Sequence, residues 1–305
     1  MKCEVCKKEK AIVKLYHLNK VIGKRCFLRY FERKVLREIR RWKLVKEGEK
    51  IVVATSGGKD SLTALFLMKK FFPKNEVIAI AINEGIRGYR DETLKNVRKY
   101  CDAWKIPYFI FSFEEEFGFG LDSIAREKGS RVCSYCGVLR RYLINKKARE
   151  LKAKKVIVGH NLDDEVQSIL MNVFRNDLLN LLKLGPIAGI LKSTKFIPRV
   201  KPLRKMYERE IMVYALLNGI YAPHRACPYV KFSYRDKVRN LLNEYEWENP
   251  GTKIKILKAF DDFSLKHKDK WKFPKHIPTC KFCGEPSSTE ICKACRIIRE
   301  LDKLK

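Results

Sequence analysis

The sequence predicts an α/β protein whose main domain is built around a parallel β-sheet. Short runs rich in β-branched residues alternate along the chain with segments of helical periodicity. The runs are apolar throughout, which is typical of strands in a parallel sheet that helices cover on both faces. The chain has 305 residues, of which 46% are hydrophobic. That length exceeds what one hydrophobic core usually holds, so we expect a main domain with appendages.

The predicted strands and helices follow one another in regular order. The strands cover residues 50–55, 76–82, 107–113 and 154–160. The helices cover residues 29–47, 60–72, 91–103, 137–152, 162–173 and 205–219, and residues 229–268 are also helical. The first helix has Arg and Lys between its apolar positions, so one of its faces is basic. That face is either a binding surface or a solvated helix face.

The charge balance favours a nucleic-acid partner. Lysine and arginine total 66, aspartate and glutamate total 35, and the formal net charge is +31. A surplus of this size repels itself unless an anion is bound, and nucleic-acid phosphate is the first candidate. The alternative is a thermophile surface, which fits the single glutamine, Gln167, and the 33% of charged residues. Thermophile surfaces are usually balanced between Lys and Glu, and this sequence is not.

The sequence has no apolar stretch of roughly 20 residues that a membrane span requires. No apolar stretch follows Met1, Lys2 and Cys3, so we expect no secretory signal. We therefore predict a soluble, cytoplasmic protein with no membrane partner. The eleven cysteines of such a protein indicate metal ligation rather than disulfides. Ten of them fall into three groups, and we expect the remaining one, Cys101, to pack in a core.

A glycine turn follows the first predicted strand of the sheet. The hexapeptide from Ser56 to Ser61, SGGKDS, lies between that strand and a helix start. Gly57 and Gly58 permit a close backbone approach to a ligand, and the helix adds unpaired N–H groups and a positive dipole end. With the charge of Lys59 and the two serine hydroxyls, these groups predict an anion nest sized for pyrophosphate. The turn matches neither the nucleoside-triphosphate P-loop nor the dinucleotide pattern G-x-G-x-x-G.

Two further polar segments follow predicted strands. They are INEG, residues 82–85, and GHNLDDE, residues 159–165. Ligands of open parallel sheets bind beyond the carboxyl ends of the strands. The glycine turn and these two segments are therefore expected to lie around one binding site.

The carboxyl end of the chain carries the clearest metal site. Two C-x-x-C pairs are separated by eight residues and supply the thiolates of Cys280, Cys283, Cys292 and Cys295. Four thiolates on two tight turns suit tetrahedral zinc. Four protein ligands leave no open position, so we predict that this zinc is structural.

The amino-terminal cysteines predict a second structural zinc site. Three ligands are Cys3, Cys6 and Cys26. A fourth ligand is expected three residues after Cys26, but that residue is Arg29, which cannot ligate. We therefore predict His17 as the fourth ligand. The alternative is that His17 is a surface or packing residue.

A third group combines the pair Cys133 and Cys136 with the distant Cys227. Three thiolates leave one coordination position free. The group fits zinc with an open site or, as the sharper hypothesis, a [4Fe–4S] cluster with one exposed iron that binds sulfide. The remaining alternative is a redox-active pair with an unrelated third cysteine.

Together these features resemble the tRNA 2-thiouridine sulfurtransferases, a branch of the PP-loop ATP pyrophosphatases. The resemblance covers essentially the whole chain and is carried by SGGKDS, CSYCGVLRR, GHNLDDE, the cysteine in ACPYV and the cysteine pairs at both ends. It implies a PP-loop (adenine nucleotide alpha hydrolase-like) catalytic domain at 49–228 between zinc-finger modules at 1–30 and 276–305. Residues 31–48 would form a basic linker helix, and residues 229–275 a basic helical extension.

The resemblance implies an ATP-dependent tRNA thiolase. ATP with Mg²⁺ would adenylate the C2 oxygen of a tRNA uridine, and sulfur would then replace that oxygen as AMP departs. The sulfur would come from a ubiquitin-like carrier with a C-terminal thiocarboxylate, by way of the [4Fe–4S] cluster. The expected enzyme is a homodimeric tRNA-5-methyluridine(54) 2-sulfurtransferase, because a thiolated T-loop stabilises tRNA at high temperature and the composition is thermophilic. The alternative target is wobble uridine 34.

Residue roles follow from the matching motifs. The expected cofactor-binding residues are Ser56, Gly57, Gly58, Lys59 and Ser61 for the phosphates, Ile82 and Gly159 beside the adenosine, and Cys133, Cys136 and Cys227 for the cluster. The expected catalytic residues are Asp60, which would help organise magnesium, and Arg140 and Asp164 at the reacting centre.

Two other functions compete with this interpretation. A PP-loop synthetase of the amidotransferase type would act on a small molecule, but it needs neither the charge of +31 nor terminal zinc modules, and no glutaminase segment is visible. A non-enzymatic RNA-binding zinc protein explains the charge and the cysteines. It leaves SGGKDS and LDDE unexplained.

Overall fold

The computed structural model describes residues 1–189, 195–222, 226–267 and 278–302. Within those ranges the central element is a six-stranded sheet with strand order β5-β4-β3-β6-β8-β7. Its strands are β3 (Ile51–Ala54), β4 (Val77–Asn83), β5 (Tyr108–Ser112), β6 (Lys155–Val158), β7 (Ile187–Ala188) and β8 (Arg199–Val200). All neighbours pair in parallel except the edge strand β7, which runs antiparallel to β8. The predicted α/β class and parallel sheet are confirmed.

Alternation of side chains along the strands builds two apolar layers. In β3, Ile51 and Val53 belong to one core and Val52 to the other. Strand β4 divides in the same way, with Ala79 in the first core and Ile80 in the second. Both faces of the sheet are therefore covered, which explains why the strand sequences are apolar throughout.

The helices have the following bounds: α1 Lys24–Trp42, α2 Lys59–Phe71, α3 Arg90–Ala103, α4 Phe113–Phe117, α5 Leu121–Lys128, α6 Val132–Glu150, α7 Leu162–Phe174, α8 Leu178–Leu182, α9 Glu208–Leu217, α10 Tyr234–Glu248, α11 Thr252–His267 and α12 Lys293–Glu300. A small antiparallel sheet of β1 (Ala11–Leu15) and β2 (Lys20–Gly23) precedes α1.

Three of the predicted helical segments differ clearly from the structure. Helix α1 begins at Lys24 rather than 29, and α6 begins at Val132 rather than 137, so both start early enough to include cysteines. The predicted helical stretch 229–268 divides into α10 and α11. Pro250 and Gly251 separate the two, because proline lacks the N–H group and Gly251 has φ +96°.

The two terminal segments lie on opposite faces of the sheet. Cys3, β2 and the buried side of α1 belong to the core that contains Val53. Cys280, Cys292 and α12 belong to the core that contains Val52 and the buried side of α6. The C-terminal segment is also tied to α6 by Asn145, whose Nδ2 donates to the carboxylate of Glu285 at 2.9 Å.

A buried arginine joins three helices. The side chain of Arg204 is fully buried, and it binds Asp261 of α11 through two hydrogen bonds of 2.9 and 2.8 Å. The same guanidinium lies 3.5 Å from carboxylate oxygens of Glu38 in α1 and Glu165 in α7. Replacing Arg204 leaves three acidic side chains without their shared cation.

We expect Arg204→Ala to lower the free energy of unfolding by about 3–5 kcal/mol, because it removes one partner of a buried ion network. Arg37→Ala is the matched control, since Arg37 is exposed on α1, and its effect should stay within about 0.5 kcal/mol. Urea denaturation followed by circular dichroism measures both. Equal midpoints for the two variants would contradict a stabilising role for the network.

Candidate active site

The glycine turn lies at the carboxyl end of β3, as the sequence predicts. The hydroxyl of Ser61 accepts a hydrogen bond from the Ser56 N–H at 3.0 Å and donates to the Gly58 carbonyl at 3.0 Å, so the turn closes on the start of α2. Gly57 has φ +85°, and a β-carbon there would lie 2.0 Å from the carbonyl oxygen of Thr93. Both the backbone conformation and the close packing therefore require glycine at this position.

Lys59 and Asp60 occupy the first turn of α2. The ammonium of Lys59 lies 3.0 Å from Asp60 and 2.7 Å from Glu208 at the start of α9. Asn161 donates a hydrogen bond of 3.3 Å to the other oxygen of Asp60. Burial raises the pKa of Asp60, while Lys59 acts in the opposite direction. A cation and a carboxylate thus flank a helix N-terminus, where phosphate and a divalent ion both find partners.

Gly159 brings the end of β6 against the turn. A β-carbon at this position would lie 2.8 Å from the backbone nitrogen of Ser61 and 2.9 Å from the carbonyl carbon of Asp60. The absence of a side chain lets β6 approach the backbone that forms the anion nest. Any larger residue at position 159 would push β6 away from the backbone of Asp60 and Ser61.

Asp164 lies in the first turn of α7. It forms a capping box with Asn161: each backbone N–H donates to the other side chain, at 3.1 and 3.0 Å. The remaining carboxylate oxygen, Oδ1, lies 3.6 Å from a nitrogen of Arg235. Burial raises the pKa of Asp164, and Arg235 opposes the shift. One oxygen is thus fixed by the backbone while the other faces a cation.

Ile82 ends the buried part of β4, and its side chain is 3% exposed within the second core. Its carbonyl oxygen accepts a hydrogen bond from Arg90. The structure thus buries the side chain that was expected to lie beside the adenosine. Any contact of Ile82 with a nucleotide would involve its backbone or the adjoining end of the strand.

Sequence reasoning missed a buried charge network beside the turn. Arg90 donates to the Ser56 carbonyl at 2.8 Å and pairs with Glu84 at 2.7 Å. The other oxygen of Glu84 lies 3.5 Å from Arg140 in α6. The INEG segment had indicated a polar strand end, but nothing in the sequence showed that Glu84 would join Arg90 to Arg140. The network links the glycine turn to α6, which carries Cys133 and Cys136. Together with Cys227 these are called the central cysteines below.

Cys133, Cys136 and Cys227 come together near this network. Cys133 and Cys136 lie in the first two turns of α6, and the thiol of Cys133 donates to the carbonyl of Tyr229 at 3.3 Å, two residues after Cys227. Burial raises the pKa of Cys133, and the nearby Cys227 adds to the shift. Burial likewise raises the pKa of Cys136 to about 12, although Arg140 one turn away opposes it. The expected juxtaposition of two local cysteines and one distant cysteine is present.

The C-terminal cysteines form a compact four-thiol group. Their sulfur atoms all lie within 4.8 Å of one another, and those of Cys283 and Cys292 are 3.7 Å apart. The sulfur of Cys280 accepts a hydrogen bond from the Cys292 N–H at 3.2 Å. Although burial raises it, backbone N–H groups lower the pKa of Cys280 to about 6. The four thiols have the donor type and the closeness that tetrahedral zinc requires.

The N-terminal group contains Glu9 in place of the predicted histidine. Possible ligand atoms of Cys3, Cys6, Glu9 and Cys26 all lie within 4.8 Å of one another. His17 lies elsewhere: one ring nitrogen is 3.1 Å from the hydroxyl of Tyr30, and the other is 3.5 Å from a carboxylate oxygen of Glu210. The prediction of His17 as the fourth ligand is therefore corrected.

Among the described residues, no helix is both long enough and apolar enough to cross a membrane.

Comparison with known proteins shows similarity over nearly the whole chain. Residues 29–243 match the PP-loop domain family called ATP_bind_3. A tRNA-5-methyluridine(54) 2-sulfurtransferase from Pyrococcus horikoshii is 36% identical, with 97% of this chain and 93% of the relative covered. A cytoplasmic tRNA 2-thiolation protein 1 from Dictyostelium discoideum is 32% identical, with 98% of this chain and 83% of the relative covered. The structure is similar to that of the U34-tRNA thiolase NcsA from Methanococcus maripaludis with its [4Fe–4S] cluster, with 33% identity, a TM-score of 0.84, and 99% and 96% of the two chains covered.

Proposed function

Because this chain belongs to the PP-loop family of tRNA 2-thiolation sulfurtransferases, we propose that it thiolates 5-methyluridine 54 of tRNA at the expense of ATP. The observation that carries the proposal is one continuous network. Arg90 holds the phosphate-binding turn at Ser56, and Glu84 connects Arg90 to Arg140, one turn after Cys136. A nucleotide on the turn and a sulfur source at the cysteines would therefore act on the same bound nucleobase.

The chemistry has two steps. In the first, the C2 oxygen of the uridine attacks the α-phosphorus of ATP, the bond to the bridging oxygen breaks, and pyrophosphate leaves. Lys59 and the N–H groups at the start of α2 would bind the phosphate oxygens and stabilise the charge that develops there. In the second, sulfur attacks C2, the C2–O bond breaks, and AMP leaves with the former uridine oxygen. Holding the reacting groups in position can supply about 7–11 kcal/mol of the barrier reduction.

The central cysteines fit an iron–sulfur cluster better than a single zinc ion. Thiolates on one tetrahedral zinc lie within about 4 Å of each other, given zinc–sulfur bonds of about 2.3 Å. In the described part of the chain, the groups with all ligand atoms within 4.8 Å are the two terminal ones, and the central trio is not among them. When bound, a [4Fe–4S] cluster held by three protein thiolates would supply an iron that can hold the incoming sulfur. Cys133 and Cys136, both in α6, would be two of its ligands. Cys227 would be the third.

The other cofactors rest on the donor types of the site residues. The Asp60 carboxylate suits Mg²⁺, which prefers one or two carboxylates together with substrate phosphates. We propose structural zinc at Cys280, Cys283, Cys292 and Cys295, and a second zinc at the N-terminal group. Both ions would hold segments that pack on opposite faces of the sheet.

The exposed face of α1 supports a tRNA partner. Arg29, Arg33, Arg37 and Arg40 are all exposed and recur at helical spacing, so they form one basic stripe. Such a stripe binds the phosphate backbone without regard to sequence. We further propose that the sulfur donor is a thiocarboxylated ubiquitin-like carrier and that the enzyme is a homodimer. We also propose a cytoplasmic location, which the name of the Dictyostelium relative supports.

Wobble uridine 34 is a second candidate target, because the solved thiolase that matches 99% of this chain is a U34-tRNA thiolase. The experiment incubates anaerobically reconstituted protein with ATP, Mg²⁺, sulfide and tRNA that contains 5-methyluridine 54, and measures 5-methyl-2-thiouridine and 2-thiouridine by nucleoside mass spectrometry. Matched tRNAs with cytidine at position 54 or at position 34 serve as controls. Sulfur that disappears only with the position-54 change supports the proposal. Sulfur that disappears only with the position-34 change supports the second target, and no sulfur in any tRNA contradicts thiolation.

A further inference from the structure

The N-terminal group has three thiols, from Cys3, Cys6 and Cys26, and its fourth possible ligand is the carboxylate of Glu9 rather than a thiol or an imidazole. Cys3, Cys6 and Glu9 recur at three-residue spacing, and the oxygen Oε1 of Glu9 lies 3.7 Å from the sulfur of Cys6. We propose that Glu9 is the fourth ligand of a Cys₃Glu zinc site in this chain. The inference rests on the zinc proposed above for this end of the protein. The sequence pattern would place the fourth ligand three residues after Cys26, but that residue is Arg29. The proposal assigns this missing ligand to Glu9.

The backbone holds Glu9 in a ligating position. Its Oε1 accepts a hydrogen bond from the Cys26 N–H at 3.2 Å, and its Oε2 accepts one from the Arg25 N–H at 3.3 Å. Both donors belong to the first turn of α1, which also supplies the Cys26 thiol. Hydrogen bonds of this kind orient a metal-binding carboxylate and fix which oxygen faces the ion. The loop itself is closed by the Cys3 N–H, which donates to the Glu9 carbonyl at 2.8 Å.

Gly23 leaves the space that the Glu9 side chain fills. A β-carbon on Gly23 would lie 2.2 Å from Cγ and 2.4 Å from the carboxyl carbon of Glu9. The backbone of Gly23 has φ −83° and ψ 172°, which any residue can adopt. A side chain at Gly23 would therefore displace the Glu9 side chain, which is the proposed ligand.

Neither His17 nor Arg29 provides a fourth ligand. His17 is engaged by Tyr30 and Glu210, and Arg29 is a cation. A cleft of about 250 Å³ adjoins the group and is lined by Cys6, Lys8, Glu9, Arg25, Cys26 and Arg29. The carboxylate thus lies on the open side of the group, while Cys3 is fully buried. We expect zinc at this end to leave faster than zinc at the C-terminal four-thiolate group.

A simpler role for Glu9 is that it only caps α1. Glu9→Gln separates the two roles, because the amide oxygen still accepts one of the two backbone hydrogen bonds but is a poor zinc ligand. Zinc release from the full-length, zinc-loaded protein to a chromogenic chelator provides a readout that does not depend on thiolation. We expect two phases in the wild type and at least about tenfold acceleration of the faster phase in Glu9→Gln, since even changes that only misorient a ligand weaken metal binding by 10–100-fold.

Rescue and control variants complete the test. Combining Glu9→Gln with Arg29→Cys restores four ligands, because it creates a C-x-x-C pair that begins at Cys26, and should return the faster phase towards its wild-type rate. His17→Asn should leave both phases unchanged. In cobalt-substituted protein, Glu9→Cys should raise the near-ultraviolet thiolate-to-cobalt absorption, because one more thiolate binds the metal.

The outcomes distinguish an error about Glu9 as the ligand from an error about the N-terminal zinc site itself. If Cys26→Ser removes one zinc per chain while Glu9→Gln releases zinc at the wild-type rate, Glu9 is a helix cap and the proposal is overturned. Acceleration by His17→Asn in place of Glu9→Gln also overturns it. If Cys26→Ser leaves the zinc content unchanged, there is no zinc at this end, and both the ligand and the proposed N-terminal zinc site are wrong.

Discussion

Asp164→Asn is expected to lower the rate of tRNA thiolation by about 10²–10⁴-fold, the range for loss of a positioned acid–base group, with tRNA binding unchanged. One oxygen of Asp164 accepts the N–H of Asn161, and asparagine can keep that hydrogen bond. The other oxygen, 3.6 Å from Arg235, loses its charge. The measurement is single-turnover thiolation with saturating ATP, together with tRNA binding by fluorescence anisotropy.

Asp177→Asn is the matched control for this prediction. Asp177 also caps a helix, accepting the Asn180 N–H at 3.0 Å, and it is likewise only partly buried, but it lies at the start of α8. The same change of charge and shape there should leave the thiolation rate unchanged. Equal rates for the two variants would mean that Asp164 serves only as a helix cap. A parallel loss of tRNA binding in Asp164→Asn would mean that the residue acts in RNA binding instead.

Cys227→Ala is expected to reduce both bound iron and thiolation activity by about 100-fold or more, since loss of a ligand should exceed the 10–100-fold effect of disturbing a ligand's surroundings. Cys227 lies about 90 residues from the other two cysteines in sequence yet lies near them in the fold. Iron analysis and the visible spectrum of anaerobically prepared protein measure the first effect. Nucleoside mass spectrometry measures the second.

Cys101→Ala is the control, because Cys101 is fully buried in the first core and lies outside the three cysteine groups. It should keep its iron and its activity and lose only some stability. A Cys227→Ala protein with wild-type iron content would remove Cys227 from the cluster site. A colourless wild-type enzyme that stays fully active after iron chelation would replace the cluster with a persulfide route through the same thiols.

The sequence was sufficient to predict four of the six strands of the sheet and the phosphate-binding turn. Strands such as β4 are apolar because both faces of the sheet are covered, and few other structures need that pattern. SGGKDS is equally informative, because Gly57 has a positive φ and contacts the backbone of Thr93 too closely for any other residue.

The features that sequence reasoning missed depend on long-range packing. From the sequence, Arg90 is expected to be a solvent-exposed residue of a helix. In the structure it is buried, and it contacts Glu84 and the Ser56 carbonyl. Glu9 is one of many glutamates, and the N–H groups of Arg25 and Cys26 at the start of α1 hold its carboxylate beside the cysteines. Strands β7 and β8 have two residues each, which is too short for any periodic pattern.

The start of α6 was missed for a local reason. Residues 129–131 form a single 3₁₀ turn that leads directly into the helix, and no capping side chain marks the boundary. The first turn of α6 therefore contains Cys133, and the second contains Cys136. A helix fixes their relative positions more firmly than a loop would, which suits residues that are proposed to share one inorganic cluster.

Transfer of oxygen from the uridine to AMP tests the central claim most directly. A tRNA transcript made with uridine carrying ¹⁸O at C2, and then methylated at C5 of uridine 54, is thiolated under single-turnover conditions, and the AMP is analysed by mass spectrometry. If ATP activates the C2 oxygen, the AMP released carries one ¹⁸O atom for each sulfur gained by the tRNA. Unlabelled AMP beside fully thiolated tRNA would contradict adenylation of the uridine by this site.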